Sequence, residues 1–266
     1  MKVASWNVNS VRKRLEQVCE LLEKETPDFL CLQELKCEDS QFPHAAIEGL
    51  DYQAFIFGQK SYNGVAIIVP RQRKVGKVSK GFRGEPQTNP PAARFLSVEY
   101  EAKGKLYRVA SVYVPNGQEV GSPAFEYKIK FLDALACYAE ERNKKHQENL
   151  ILCGDFNVAP EDRDVYDPHY LKGHLLFSEA EKKAFRNLIS TGQLHDTYRL
   201  HHSEAGQFSW WDYRALSFPK NHGLRIDFIL AQEPVAHTCT TSSILRNQRK
   251  TQPPSDHAPL VAEFAR

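Results

Sequence analysis

The chain has 266 residues, 41% of them apolar, which is enough to bury a sizeable core and suits one large domain or two small ones. A formal net charge of +2 does not by itself announce a nucleic-acid partner, so local clustering must carry any such argument. Six cysteines without a Cys-x-x-Cys pair, no apolar run near the ~18 residues of a membrane span and no apolar leader make a disulfide framework, a zinc framework and a membrane protein poor readings; a cytoplasmic protein with free thiols is expected.

Residues 2–8 read as a buried strand. Val11, Leu15, Val18 and Leu22 follow at helical spacing, with Ser10 as the expected N-cap and Pro27 as the stop. Residues 28–33 form a short apolar strand that ends at Glu34. Residues 52–57 and 65–69 are two more strands, with a turn at Asn63-Gly64 before the second. Residues 94–101 and 106–114 predict a hairpin turning at Lys103-Gly104. Ser122-Pro123 opens a helix carrying Phe125, Ile129, Leu132, Leu135 and Ala139 on one face. Residues 150–153 run as a strand into Gly154-Asp155-Phe156-Asn157, and Ser178 with Glu181 forms a capping box. Residues 207–211, 224–231 and 257–264 close the chain as strands. Strand–helix–strand units mixed with hairpins in both halves imply an α/β (α+β) fold, with helices covering two mixed β-sheets. Neither the Pro-rich segment 85–92 nor segment 162–173 has the composition of a linker, so a single domain over 1–266 is expected.

Polar and acidic residues recur where these apolar strands end: Asn7 and Asn9, Glu34, Tyr113 and Asn116, Asp155 and Asn157. Asp227 lies inside an apolar strand, and Asp256-His257 directly precedes the last one. Burying an unpaired carboxylate is costly, so one polar site at converging strand ends explains them together. Singly, each has a plain alternative. Asn9 and Asn116 suit turns, Asp155 and Asn157 suit caps, and Asp227 could pair with Arg225 or Arg214. Carboxylates and amides with a lone His and no Cys cluster favour a hard cation such as Mg²⁺ or Mn²⁺. A Ser–His–Asp reading of Ser255-Asp256-His257 is weak, because adjacent residues do not stack into a triad and no Gly-x-Ser-x-Gly elbow is present. Arg71, Arg73, Lys74, Lys77, Lys80 and Arg83 form a basic run without an acidic residue, and Arg246, Arg249 and Lys250 form a second; both are candidate DNA contacts or solvated loop charge.

In combination these segments resemble the exonuclease III family of apurinic/apyrimidinic (AP) endonucleases, within the endonuclease/exonuclease/phosphatase superfamily. The matching segments are Trp6-Asn7-Val8-Asn9-Ser10, Leu32-Gln33-Glu34-Leu35-Lys36, Tyr113-Val114-Pro115-Asn116-Gly117, Gly154-Asp155-Phe156-Asn157, Trp210-Trp211-Asp212-Tyr213-Arg214, Leu224-Arg225-Ile226-Asp227 and Ser255-Asp256-His257, in the family's order over nearly the whole chain. The resemblance implies a DNase I-like, four-layer αββα sandwich. It also implies a Mg²⁺-dependent DNA phosphodiesterase of base excision repair, with Mn²⁺ as a substitute. Such an enzyme cuts 5′ to abasic sites and has 3′→5′ exodeoxyribonuclease and 3′-phosphatase activity on duplex DNA. Glu34 would be the principal metal ligand, helped by Asn7, with Asp155, Asn157, Asp256 and His257 also near the metal. Asp155 would deprotonate water, Asn157 and His257 would bind the phosphate, and Asp227 would fix the imidazole. Tyr113 and Asn116 would stand near the phosphate and leaving oxygen. Trp210, with Leu224, would wall a pocket for a sugar lacking its base. Double-stranded DNA bearing abasic sites or 3′ ends is the implied partner, and a monomer is expected. Phosphatases and nucleases of the same superfamily acting on inositol phosphates or RNA are the alternative, and an inactive DNA-binding module is a third reading. Asn9, Gly117-Gln118 and Leu224 depart from the eukaryotic pattern, which leaves open the balance between AP cleavage and exonuclease action.

Overall fold

The computed structural model describes residues 1–146 and 149–265. Strand β1 (Lys2–Asn7) leads through helix α1 (Leu15–Glu25) to β2 (Phe29–Gln33), and a short α2 (His44–Glu48) precedes β3 (Tyr52–Phe57), β4 (Val65–Pro70) and β5 (Val78–Lys80). A hairpin of β6 (Phe95–Ala102) and β7 (Lys105–Tyr113) is followed by α3 (Pro123–Glu141) and β8 (Asn149–Asp155). Then come α4 (Pro168–Leu171), α5 (Glu179–Gly192), β9 (Leu194–Asp196), α6 (Ser217–Lys220), β10 (Asp227–Gln232), α7 (Glu233–Ala236), β11 (Cys239–Ile244) and β12 (Leu260–Phe264).

The strands form two six-stranded sheets, in the orders β11–β12–β1–β2–β4–β3 and β5–β6–β7–β8–β10–β9. Strand alternation explains how they pack. Val3, Phe29, Cys31, Ile67 and Leu260 of the first sheet meet Val109, Ile151, Cys153 and Ile229 of the second in a central apolar layer. Their neighbours Ala4, Trp6, Leu30, Leu32 and Ile68 point the other way, onto Val18, Leu21 and Leu22 of α1. On the far side Ala110, Val112, Leu150, Leu152 and Phe228 pack on Phe131, Leu132 and Leu135 of α3 and on Phe185 and Leu188 of α5. The expected αββα sandwich is therefore present. Moreover, β12–β1–β2–β4–β3 and β6–β7–β8–β10–β9 share one polarity pattern: antiparallel, parallel, antiparallel, antiparallel. A helix links the parallel pair in each. The halves are thus related in topology although no sequence repeat shows it.

Several local expectations are corrected. Ser10 does not cap α1; it sits at φ 92° before a single 3₁₀ turn over Val11–Lys13, and α1 starts only at Leu15. Residues 207–211 are not a strand, because Trp210 makes only isolated bridges to Leu224 and His257. Strand β10 begins at Asp227 and β12 at Leu260, later than the apolar pattern suggests. Strands β5, β9 and β11 escape the sequence reading because two are three residues long and β11, Cys-Thr-Thr-Ser-Ser-Ile, lacks apolar alternation. All six cysteines are free, and Cys31, Cys37 and Cys153 are buried. Among the described residues no helix is long and apolar enough to cross a membrane.

Candidate active site

Pairing register brings the polar strand ends together. Parallel β1 and β2 set Asn7 opposite Gln33, so Glu34 leaves the sheet beside Asn7. Parallel β7 and β8 set Tyr113 opposite Asp155, and antiparallel β10 sets Asp227 opposite Asp155 from the other side. The bridge between Trp210 and His257 carries the imidazole to the same edge. Gly154 is required here by close approach: a Cβ at this position would lie 1.8 Å from the Val112 carbonyl oxygen. Backbone strain collects at the same place. Asn9, Glu34 and Asn157 are left-handed, with φ of 44°, 52° and 50°, a conformation that costs non-glycine residues of order 1–3 kcal/mol and persists where surroundings enforce it. For Asn157 the enforcement is visible, because its backbone N–H donates to Asp155 Oδ1 at 2.9 Å.

A continuous hydrogen-bond network joins the expected residues. Asn7 Nδ2 donates to Glu34 Oε1 at 2.9 Å and to Asp155 Oδ2 at 3.0 Å, while its oxygen accepts the Asn9 N–H at 3.0 Å. Asn7 therefore bridges the two carboxylates as a donor. Asn157 Nδ2 donates to Val114 O at 3.0 Å and to Asp155 Oδ2 at 3.3 Å, and Asn157 Oδ1 accepts from Asn116 Nδ2 at 3.3 Å. His257 Nδ1 lies 2.9 Å from Asp227 Oδ2, and its Nε2 lies 3.7 Å from Asp155 Oδ2. Asp227 is thus the partner of His257, not of Arg225 or Arg214. Arg225 instead pairs with Asp164 and Asp196 at 2.7 Å each, and Arg214 with Asp212 at 2.8 Å. Asp256 sits beside the carboxylates' network, accepting from Asn9 Nδ2 at 2.9 Å and from Trp210 Nε1 at 3.0 Å. The triad reading of Ser255 fails, because its hydroxyl donates to the Asn7 carbonyl at 2.7 Å and accepts the His257 N–H.

The site's electrostatics follow from crowding buried charge. Burial raises the Asp155 carboxyl, the His257 charge pulls it back, and Asp227 and Glu34 push it up again; it ends well above the usual carboxylate range. Burial would lower His257, but Asp227, Asp155 and Asp256 overcome this and raise it to about 10. The surrounding carboxylates thus favour the protonated ring, and with Nδ1 at Asp227 the Nε2 atom is left free of that partner. Asp256 is pushed up by burial, yet the His257 charge and the bonds from Trp210 and Asn9 hold it below the ordinary value. Burial, with Glu34 and Asp155 nearby, lifts the Tyr113 phenol so far that it keeps its proton. Donor atoms of Glu34, Asp155 and His257 lie within 4.8 Å of one another, a grouping able to hold a metal ion.

Trp210 and Leu224 line a groove of about 890 Å³ that runs outward past Tyr166, His174, Val120 and Arg214. It is an open trough rather than a closed apolar cup. The basic clusters are less available than their sequence implies. Arg73 pairs with Asp28 and lies over the Phe29 and Tyr100 rings, at the end of the sheets remote from Glu34, and Lys80 pairs with Asp39. Arg249 is buried against Tyr213 and Phe218, and Arg246 covers Trp211 and Phe218. Both prop the Trp210–Ser217 loop. Sequence reading missed three supporting residues. Ser209 Oγ donates to Asp227 Oδ2 at 2.6 Å; Lys36 Nζ reaches Glu34 Oε2 at 2.8 Å; Arg14 binds the Asn9 carbonyl at 2.6 Å. Only Lys36, inside the Glu34 segment, carried a signal that could have exposed it.

Residues 4–257 match the model of the Endonuclease/Exonuclease/phosphatase family. Exodeoxyribonuclease III of Haemophilus influenzae is 36% identical over 273 residues, covering 99% of this chain and 100% of that protein. A 3′ phosphatase from Neisseria, solved bound to a product DNA hairpin, matches at TM-score 0.91 and 37% identity over 100% of both chains. An AP endonuclease from Archaeoglobus fulgidus matches at TM-score 0.88 and 32% identity, again over 100% of both chains. With this coverage, and with the site residues gathered at one edge of both sheets, the chain belongs to the Endonuclease/Exonuclease/phosphatase family.

Proposed function

We propose that this protein is a divalent-cation-dependent DNA phosphodiesterase of base excision repair, a cytoplasmic monomer. It cuts duplex DNA 5′ to abasic sites and removes nucleotides and phosphate from 3′ ends. The carrying observation is the end-to-end match to an exodeoxyribonuclease III and to a 3′ phosphatase held on DNA. The donor set fits a hard cation, since Glu34 and Asp155 offer carboxylate oxygens and no thiol is nearby. Glu34 and Asp155 would hold Mg²⁺, with Mn²⁺ as a substitute, and Asn7, Asn157 and Asp256 would border it. When bound, the cation supplies charge neutralisation at the phosphate.

The protein's own groups then divide the work. Asp155, held by the Asn157 N–H and Asn7, takes a proton from the attacking water. His257, kept cationic by Asp227, donates from Nε2 to a non-bridging phosphate oxygen as negative charge builds there. Because Asp227 holds the imidazole and favours its protonated form, the role of base is assigned to Asp155 rather than to the Asp227–His257 pair. Asn116 has one amide N–H to spare for the phosphate, Asn157 reaches it by giving up its 3.3 Å bond to Asp155, and the neutral Tyr113 hydroxyl stands by the leaving oxygen. Trp210 and Leu224 receive the extruded sugar. An abasic residue gives up no pairing or stacking on extrusion, whereas an intact nucleotide loses a few kcal/mol, and this difference selects the site.

The test offers a labelled duplex with one tetrahydrofuran abasic analogue, an intact duplex, a duplex with a 3′-phosphate and an inositol phosphate, each with Mg²⁺ and with EDTA. Cutting 5′ to the analogue and 3′-phosphate release, both abolished by EDTA, are expected. Turnover of the inositol phosphate alone would overturn the reading.

A further inference from the structure

A fully buried lysine outside the network above makes contact with two of the site's loops. Lys128 on α3 has no exposed surface, and neither has its counter-ion Glu181. The Lys128 ammonium donates to the Asn116 carbonyl at 3.0 Å, to the Asn157 carbonyl at 2.6 Å and to Glu181 Oε1. An ammonium has three N–H donors, and here three acceptors take them. Glu181 also accepts the Leu176 N–H and the Ser178 N–H at 3.0 Å each, which fixes the start of α5 and the groove-lining residue Leu176. Gly117, at φ +95°, brings its turn down onto the lysine stem; a Cβ there would lie 3.1 Å from Lys128 Cδ and 3.3 Å from Leu175 Cδ1.

We infer that Lys128 is a positioning residue: it fixes the backbone at Asn116 and Asn157, and with it the chain of bonds from the Asn116 amide through Asn157 to Asp155. This rests on the role given above to Asn157. A buried ion pair is a poor source of net stability, and an apolar pair of similar volume often does as well or better. What an apolar pair cannot do is hold two carbonyls from different loops at one point. Asn157 needs such a hold because its left-handed backbone turns the chain two residues after Asp155. Lys128 touches no substrate and acts only through the loops it fixes.

The experiment uses the full chain and release of a 3′-phosphate from duplex DNA. Lys128→Met with Glu181→Gln removes both charges; the one amide oxygen still accepts from the Ser178 N–H and hydroxyl, while the Leu176 N–H loses its acceptor. The double variant is expected to fold, to keep KM and to lose kcat by about 10- to 100-fold, the scale of a small misplacement of catalytic groups. Placed in an Asn157→Ala background, the same change should cost little further, because the Asn157 amide is gone and the Asn116 amide has lost the oxygen that orients it. Wild-type kcat in the folded double variant, or an undiminished loss in the Asn157→Ala background, would overturn the inference. If the double variant does not fold, Lys128→Gln decides it: lower kcat at constant KM supports positioning, and wild-type kcat excludes it. Full turnover by Asn157→Ala alone would instead sink the reading of the site itself, which keeps the two failures apart.

Discussion

His257 and Asp227 are buried together, and the carboxylate gives the imidazole both its orientation and its charge. Turnover requires Asp155 without its proton and His257 with one. Rate should therefore rise with pH through a raised Asp155 value and fall only in the alkaline range, where His257, raised to about 10, loses its proton. Asp227→Asn removes the main charge that raises His257, so the alkaline limb of the pH–rate profile should move towards neutrality. A profile unchanged in this variant would show that the pair does not work as a unit. Asp155→Asn, Asn157→Ala and His257→Asn should each lower kcat by roughly 10² or more, the loss typical of a general base or a transition-state donor. Asp227→Asn combined with His257→Asn should cost little more than either change alone, and steady-state kinetics of the four proteins checks this. Replacement of Glu34 by Gln should raise the Mg²⁺ concentration needed for half-maximal rate, because a charged oxygen donor becomes a neutral one. A metal titration unaltered by that change would remove Glu34 from the ligand set.

At the level of elements, the groove and its scaffold give separable effects. Trp210 ties the groove to the site through its bond to Asp256 and lines the groove proposed to take the sugar. Trp210→Ala should therefore reduce abasic-site cleavage more than 3′-phosphate removal, measured as the ratio of the two rates. Beneath it, Arg225 holds Asp164 and Asp196 in a buried cluster and aligns the segment from Leu224 to Asp227. Arg225→Met leaves Asp196 without its cation and Asp164 with Arg199 alone, and should destabilise the fold by about 3 kcal/mol or more, read by denaturant unfolding. The sequence disclosed the strands of the central layer, where Val3, Phe29, Ile67 and Ile229 alternate with neighbours facing a helix. It also disclosed Asn7, Glu34, Asp155 and His257, because polar residues at apolar strand ends have no packing reason to be there. The partner of Asp227 was not legible from spacing alone. Arg225 is two positions away, but strand alternation and the β8–β10 register decide the pairing, and both are long-range facts. Nor could the basic runs be judged, since Asp28 and Asp39, which engage Arg73 and Lys80, are distant in sequence.

For the whole molecule, two sheets with one polarity pattern set their strand ends on a common edge, and each contributes part of the centre. The first sheet supplies Asn7 and Glu34, and the second supplies Tyr113, Asp155 and Asp227. Neither half has both the carboxylate pair and the charged imidazole, so the sandwich must be intact for the chemistry. The chemistry assigned to that centre is attack of water on phosphorus with expulsion of the 3′ oxygen. It is tested most directly by cleaving a duplex with one natural abasic site in H₂¹⁸O with Mg²⁺ and analysing both new ends by mass spectrometry. Expected are a 3′-hydroxyl and a 5′-deoxyribose phosphate carrying one ¹⁸O on phosphorus. An unlabelled phosphate beside an unsaturated 3′ sugar, the signature of β-elimination, would contradict the hydrolytic centre described here.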